Sequence, residues 1–175
     1  MKRAMSAISI LSVIGAVLCA CLYQTWKNEA VLAVAITLGT MAYHFVMRLS
    51  VGLILDTVMN NKADYKKGWY RTRTWEKKLY ERIKVKCWKV LMPTYAPYLF
   101  DHTKNRWDEI AQASCQAELV HEIIIVLSFV PVFFSIWFGA AMVFIITSVL
   151  AALLDIAFVI IQRYNRPRII RLVER

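Results

Sequence analysis

Acidic residues are scarce: 12 Asp and Glu stand against 22 Lys and Arg in 175 residues, for a net charge of +10. Charge of either sign is also sparse, at 19% of the chain against 59% hydrophobic residues. So few polar side chains could not cover that much apolar surface in water. The charges that are present lie in blocks rather than mixed along the chain, which is the pattern of an integral membrane protein. The sequence has no internal repeat and no low-complexity tract, which excludes a repeat array. Its four cysteines lack zinc-type spacing. Cys19 and Cys21 lie in an apolar run, and Cys87 and Cys115 in a basic section expected on the reducing side of the membrane, so all four are expected to pack rather than to bridge or to bind metal.

What the sequence does have is long uncharged runs. After Met1-Lys2-Arg3 come 23 uncharged residues, Ala4 to Trp26. The run is too long for a signal peptide and no small-residue cleavage site follows it; at about 1.5 Å per residue it crosses a hydrocarbon layer of about 30 Å once. Lys27-Asn28-Glu29 then leads into a second span from Ala30. Ala33, Ala35, Thr37 and Gly39 there give the small-residue spacing of closely packed membrane helices. Between Glu122 and Asp155 lie 32 uncharged residues, too many for one span and too few for two complete ones. Two spans fit if each borrows polar neighbours and the turn falls between Pro131 and Gly139, near Ser135. Glu118, His121 and Asp155 are then inside the membrane or at its edge.

From Asn60 to Arg106 the chain carries 13 Lys/Arg against four acids, interleaved with Trp69, Tyr70, Trp75, Tyr80, Trp88, Tyr95 and Tyr98. Trp75, Leu79, Ile83 and Trp88 recur at near-helical spacing, as in a helix lying on a membrane surface. Basic residues mixed with aromatics also occur in nucleic-acid binders, but flanking spans and membrane attraction account for them here, and no nucleic-acid partner is expected. Of the 22 Lys/Arg, only Lys27 falls outside the two ends, the middle section and Arg48. The positive-inside rule therefore places both termini and the middle section in the cytoplasm, with an even number of spans. The expected fold is all-α, a single multi-pass domain over 1–175 in the cell membrane. It has four transmembrane helices at about 4–26, 30–55, 113–134 and 139–162, with a basic amphipathic interfacial segment at about 60–110 between the second and third.

Three constellations carry chemistry. His44 and Arg48 are four apart near the end of the second span, facing a wet interior or snorkelling to the interface. Glu118 and His121 are three apart and share a helix face. A carboxylate that orients one imidazole nitrogen leaves the other free to take a proton from a hydroxyl. Glu-x-x-His also occurs in di-iron bundles, which need two copies; one is present. A purely structural pairing of Glu118 and His121 with Arg163 is the other reading. Asp155 is expected at comparable depth on the next helix. Finally, Gln162-Arg163-Tyr164-Asn165-Arg166-Pro167-Arg168 closes the last apolar run. It reads either as a positively charged stop or as an arginine cluster gripping an anionic head group.

Ala117-Glu118-Leu119-Val120-His121, followed by an apolar run with a proline, and the closing heptapeptide resemble the glycosyl-4,4'-diaponeurosporenoate acyltransferase family of small bacterial membrane proteins. Trp88-Lys89, followed by Leu91 and Pro93 and then Phe100-Asp101, is similar to a third motif of that family. Thr94-Tyr95 departs from its pattern, where Asp-Gly is expected, and the first two spans match no motif. The resemblance implies carotenoid biosynthesis: transfer of a fatty acyl group to a sugar hydroxyl of a glycosylated C30 carotenoid. Chemistry then casts His121 as the base and Glu118 as its orienter. Arg163, Arg166 and Arg168 become a clamp for an anionic donor such as acyl-CoA, and Tyr164, Asn165, Trp88, Lys89, Asp155 and His44 line the substrate. No further cofactor and no metal are expected, and the partners are membrane lipid, the acyl donor and a glycolipid acceptor. Two other functions fit the same residues: a non-catalytic protein that holds an anionic lipid and, less well, a small transporter. The His-x4-Asp motif of other acyltransferases is absent.

Overall fold

The computed structural model describes residues 2–175, among which every regular element is helical and none is a strand. Helix α1 is Lys2–Trp26 and α2 is Glu29–Met59. They are separated by Lys27, in the left-handed region at φ 51°, and Asn28, whose side-chain oxygen accepts the Ala30 N–H at 2.8 Å. That cap satisfies one of the donors a helix start leaves unpaired. After α2 come α3 (Thr74–Arg82), α4 (Val85–Trp88), α5 (Trp107–Leu127), α6 (Val130–Phe138) and α7 (Ala141–Val173). Four stretches are long and apolar enough to cross a membrane: Arg3–Trp26, Glu29–Met59, Trp107–Phe138 and Ala141–Val173. Their large apolar side chains stand outward, with Leu11, Val17, Ile136 and Leu150 all more than half exposed. Lipid is the solvent that tolerates such a surface.

The chain divides into two compact units. The first comprises Met1–Gly52 and Ile124–Leu153. Within it, a Cβ placed on Gly15 would lie 2.9 Å from Leu38 Cδ1, whereas Gly39 has open space around it. The close approach of α1 and α2 is thus between Gly15 and Leu38, which lies within the small-residue stretch of α2, although Gly39 itself has no neighbour within 4 Å. The Tyr43 hydroxyl donates to the Leu127 carbonyl at 2.8 Å, satisfying an orphan acceptor where α5 ends. Arg48 donates to the carbonyls of His44 (3.3 Å) and Ala151 (3.2 Å). The turn before α7 falls at Gly139 and Ala140, both at positive φ, and Pro131 begins α6 instead of breaking the chain. The turn thus falls at the far end of the expected Pro131–Gly139 interval, a few residues past Ser135, since a proline in the first turn of a helix forfeits no hydrogen bond.

The second unit comprises Leu53–Ile123 and Leu154–Arg175. It holds α3, α4 and 3-10 turns at Gly68–Tyr70, Lys89–Leu91 and Pro97–Phe100. Val85, Ile110, Ala111 and Cys115 are among its most buried side chains. Helix α3 is amphipathic in an unusual sense: Glu76 and Tyr80 face inward, while Trp75, Leu79 and Ile83 are 58%, 40% and 38% exposed. Only Cys115 packs in a core; Cys21 and Cys87 are exposed, so the packing role expected of all four cysteines holds for one of them in full. The closing heptapeptide does not end the last helix. It lies within α7, which continues two turns past Arg166 with Pro167 inside it.

Candidate active site

The second unit carries two polar centres, both built from α5 and α7. In the first, His121 Nδ1 lies 2.8 Å from Asp155 Oδ1. Asp155 is 1% exposed and the imidazole 22% exposed, so the carboxylate is enclosed and one edge of the ring is not. The Phe158 ring stacks on the imidazole at 4.7 Å and 13°, fixing its plane. An ionised Asp155 accepts Nδ1–H, which leaves Nε2 as the basic nitrogen. Such an arrangement can take a proton from a hydroxyl, and the carboxylate on the ring is that of Asp155, not that of Glu118.

Glu118 is instead the hub of the second centre. Fully buried, it receives Arg163 Nε at 3.3 Å and the Arg166 guanidinium on its other oxygen. Arg163 also reaches Glu76 Oε1 at 3.1 Å and donates to the Trp69 carbonyl at 2.7 Å. Arg166, itself 0% exposed, donates to the carbonyls of Tyr70 (3.1 Å) and Ser114 (3.2 Å) and lies over the Tyr70 ring at 5.2 Å. Two arginines therefore face two glutamates in a charge-balanced cluster. Burying charges in this way is tolerable only when opposite charges are paired. Of the arginines expected to clamp a donor, Arg163 and Arg166 meet Glu76 and Glu118, Arg166 fully buried and Arg163 18% exposed. Sequence reasoning missed Glu76. Its signal was an acid one turn before Tyr80 on α3.

Around this cluster, ionisable groups respond to burial. The Tyr80 phenol is pushed up to about 12, first by burial and then by the Glu76 carboxylate. The Tyr70 phenol is also raised, chiefly by burial.

The remaining heptapeptide residues meet the Trp88-Lys89 motif. Lys89 Nζ donates to Asn165 Oδ1 at 2.7 Å and lies 4.9 Å from the centre of the Tyr164 ring; the Arg168 guanidinium lies 5.5 Å from the same ring. Each cation gains from the electron-rich ring face. Burial first, then the like charges of Arg168 and Lys86, hold the Lys89 ammonium below its ordinary value. The Trp88 indole donates to the Ile83 carbonyl at 3.0 Å and closes the bend between α3 and α4. His44 belongs to the first unit, where it is buried with its ring edge-on to Tyr43. The fold thus unites His121 with Asp155, and Lys89 with Tyr164, Asn165 and Arg168. It assigns Glu118, Arg163 and Arg166 to the interior.

The model of one protein family, described as glycosyl-4,4'-diaponeurosporenoate acyltransferase, matches residues 66–175. The search of curated proteins and the search of solved structures gave no significant match.

Proposed function

Since the chain belongs to the glycosyl-4,4'-diaponeurosporenoate acyltransferase family, we propose that it moves a fatty acyl group onto a hydroxyl of a lipid-linked sugar, with His121 as general base. The observation that carries this reading is the His121–Asp155 pair: an enclosed carboxylate, a stacked imidazole and one free ring nitrogen. In the reaction, the acceptor hydroxyl gives its proton to His121 Nε2 as its oxygen attacks the donor's acyl carbonyl. The ester bond forms, the bond to the leaving group breaks, and the imidazolium returns the proton to that group. Asp155 holds the imidazole in the productive tautomer and stabilises the imidazolium. A thioester such as acyl-CoA suits the step, because its thiol leaves readily.

The glycosylated carotenoid acceptor comes from the family description, and the bacterial setting from the resemblance. The exposed Trp75, Leu79 and Ile83, next to Lys77, Lys78 and Arg82, suit a helix resting on an anionic bilayer surface. In this reading they seat the second unit at the level where a lipid-linked sugar projects. A lipid-holding role without chemistry would rest on the same arginines and the basic belt, and Glu76 and Glu118 already neutralise Arg163 and Arg166.

The test is acyl transfer in membranes from radiolabelled acyl-CoA to a glycolipid extract. Replacing His121 with Ala, or Asp155 with Asn, lowers turnover by about a hundredfold or more at normal protein level. Full turnover of His121→Ala would remove the base from the mechanism.

A further inference from the structure

Beyond the dyad, the second unit carries a basic trough where the last turns of α7 approach residues 65–77. Two adjoining hollows, of about 800 Å³ and about 280 Å³, share Thr72, Lys77, Pro167 and Arg171 in their walls. Lys66, Lys67 and Arg71 line the larger hollow and Arg168 the smaller. With Lys77 and Arg171 these make six cations beside Arg163, a seventh in the wall of the smaller hollow that is already paired with Glu76 and Glu118, against Glu81 and Glu174 as the acids of the walls. None of the six is ion-paired with a carboxylate among the described residues. The contrast with Arg163 and Arg166 is informative. The same helix pairs the partly buried Arg163 and the fully buried Arg166 with carboxylates and leaves the next two, Arg168 and Arg171, without a carboxylate partner beside a cavity. Like charges gathered around a hollow repel one another, and an anion in the hollow relieves that repulsion.

We propose that this trough is a phosphate site that holds the phosphorylated adenosine diphosphate end of a CoA-type acyl donor. The larger hollow is of the size that takes a small ligand, and arginine forks with lysines are the side chains that grip phosphate oxygens. Its position fits as well. Asp155 and Arg171 are on one helix, 16 residues apart, which is about 24 Å of rise. In CoA a flexible arm separates the thioester from the phosphates, and it spans most of that distance, with the long Arg171 and Lys77 side chains covering the rest. Naming the ligand rests on the acyl-transfer reading; the existence of a phosphate site does not. The same chemistry could be met by the head group of an anionic phospholipid, and the experiment separates the two sources.

The full-length protein is placed in phosphatidylcholine nanodiscs and titrated with free CoA, which carries no acyl group to transfer. CoA is expected to bind more weakly as ionic strength rises, and at least tenfold more weakly to a Lys77→Gln, Arg171→Gln double variant of unchanged melting temperature. A Lys66→Gln, Arg71→Gln variant tests the same wall if the first one folds poorly. In a second arm, nanodiscs containing phosphatidylglycerol are analysed for retained lipid by native mass spectrometry. Retention of that lipid by the wild type and its loss from the variants, without CoA binding, would keep the phosphate site and overturn the donor assignment. If neither ligand responds to the substitutions, the trough is a solvated basic surface and the proposal fails. CoA binding without any turnover would sink the acyl-transfer reading and leave the site standing. Turnover indifferent to both double variants would do the reverse.

Discussion

Glu118→Gln separates the two roles this residue can have. As an orienter of His121 it would be needed for turnover and dispensable for folding. In the structure it is a buried counter-ion, so the loss should appear in stability. Its carboxylate is 0% exposed and meets Arg163 Nε at 3.3 Å and Arg166 on the other oxygen. Removing one partner of a buried ion pair costs about 3–5 kcal/mol, because the charge left behind is neither solvated nor paired. Two features favour the lower end. Glutamine keeps an acceptor oxygen, and Arg163 keeps Glu76 at 3.1 Å. Arg166 retains only the carbonyls of Tyr70 and Ser114 and has no other carboxylate partner among the described residues. A loss of about 3 kcal/mol in a chain of this length lowers the melting temperature by on the order of 10 °C. The assay is thermal unfolding in detergent followed by tryptophan fluorescence, with acyl transfer measured on the folded fraction. A Glu118→Leu, Arg166→Met double variant should recover much of the loss, since matched apolar replacements of a buried pair are often neutral or better. A Glu118→Gln protein that melts with the wild type yet has no activity would refute the argument and return Glu118 to the chemistry.

Asp155→Asn should reduce kcat with little change in KM or in the melting temperature; an unchanged kcat would deny Asp155 its orienting role. Tyr80 holds its proton up to about 12 when folded, against an ordinary value of 10.0. A raised folded value contributes stability that is fully present below pH 10 and is lost as pH rises from there toward 12, by up to roughly 3 kcal/mol. Tyr80→Phe should flatten that alkaline decline in melting temperature, and a wild-type decline left intact in the variant would point to another group. Gly15→Ala meets only the mobile end of Leu38, so it should cost less than about 1 kcal/mol. Gly15→Phe, too large for Leu38 to evade, should lower the melting temperature measurably. If Trp75 rests on the bilayer, a variant retaining it as the sole tryptophan should be quenched by brominated lipid; unquenched emission would remove the surface seat from α3.

Hydrophobic run length determined the four apolar helices, because at about 1.5 Å per residue a long uncharged stretch has few other destinations than a bilayer. Motif content determined the family, since Glu118, His121 and the heptapeptide are legible as residue types at fixed spacing. The partners were not legible. Glu118 and His121 share a helix face, and local spacing paired them. Yet side-chain pairing across helices depends on rotation and depth, which periodicity leaves free. Tertiary packing gave His121 to Asp155, 34 positions away, and gave Glu118 to two arginines from the segment read as a surface clamp. The physical reason is the cost of burying charge. Once α7 carried Arg163 and Arg166 into the interior, each needed a carboxylate within reach, and Glu76 and Glu118 supplied them. Asp155 meets the histidine, and Arg168 and Arg171 are among the cations left exposed.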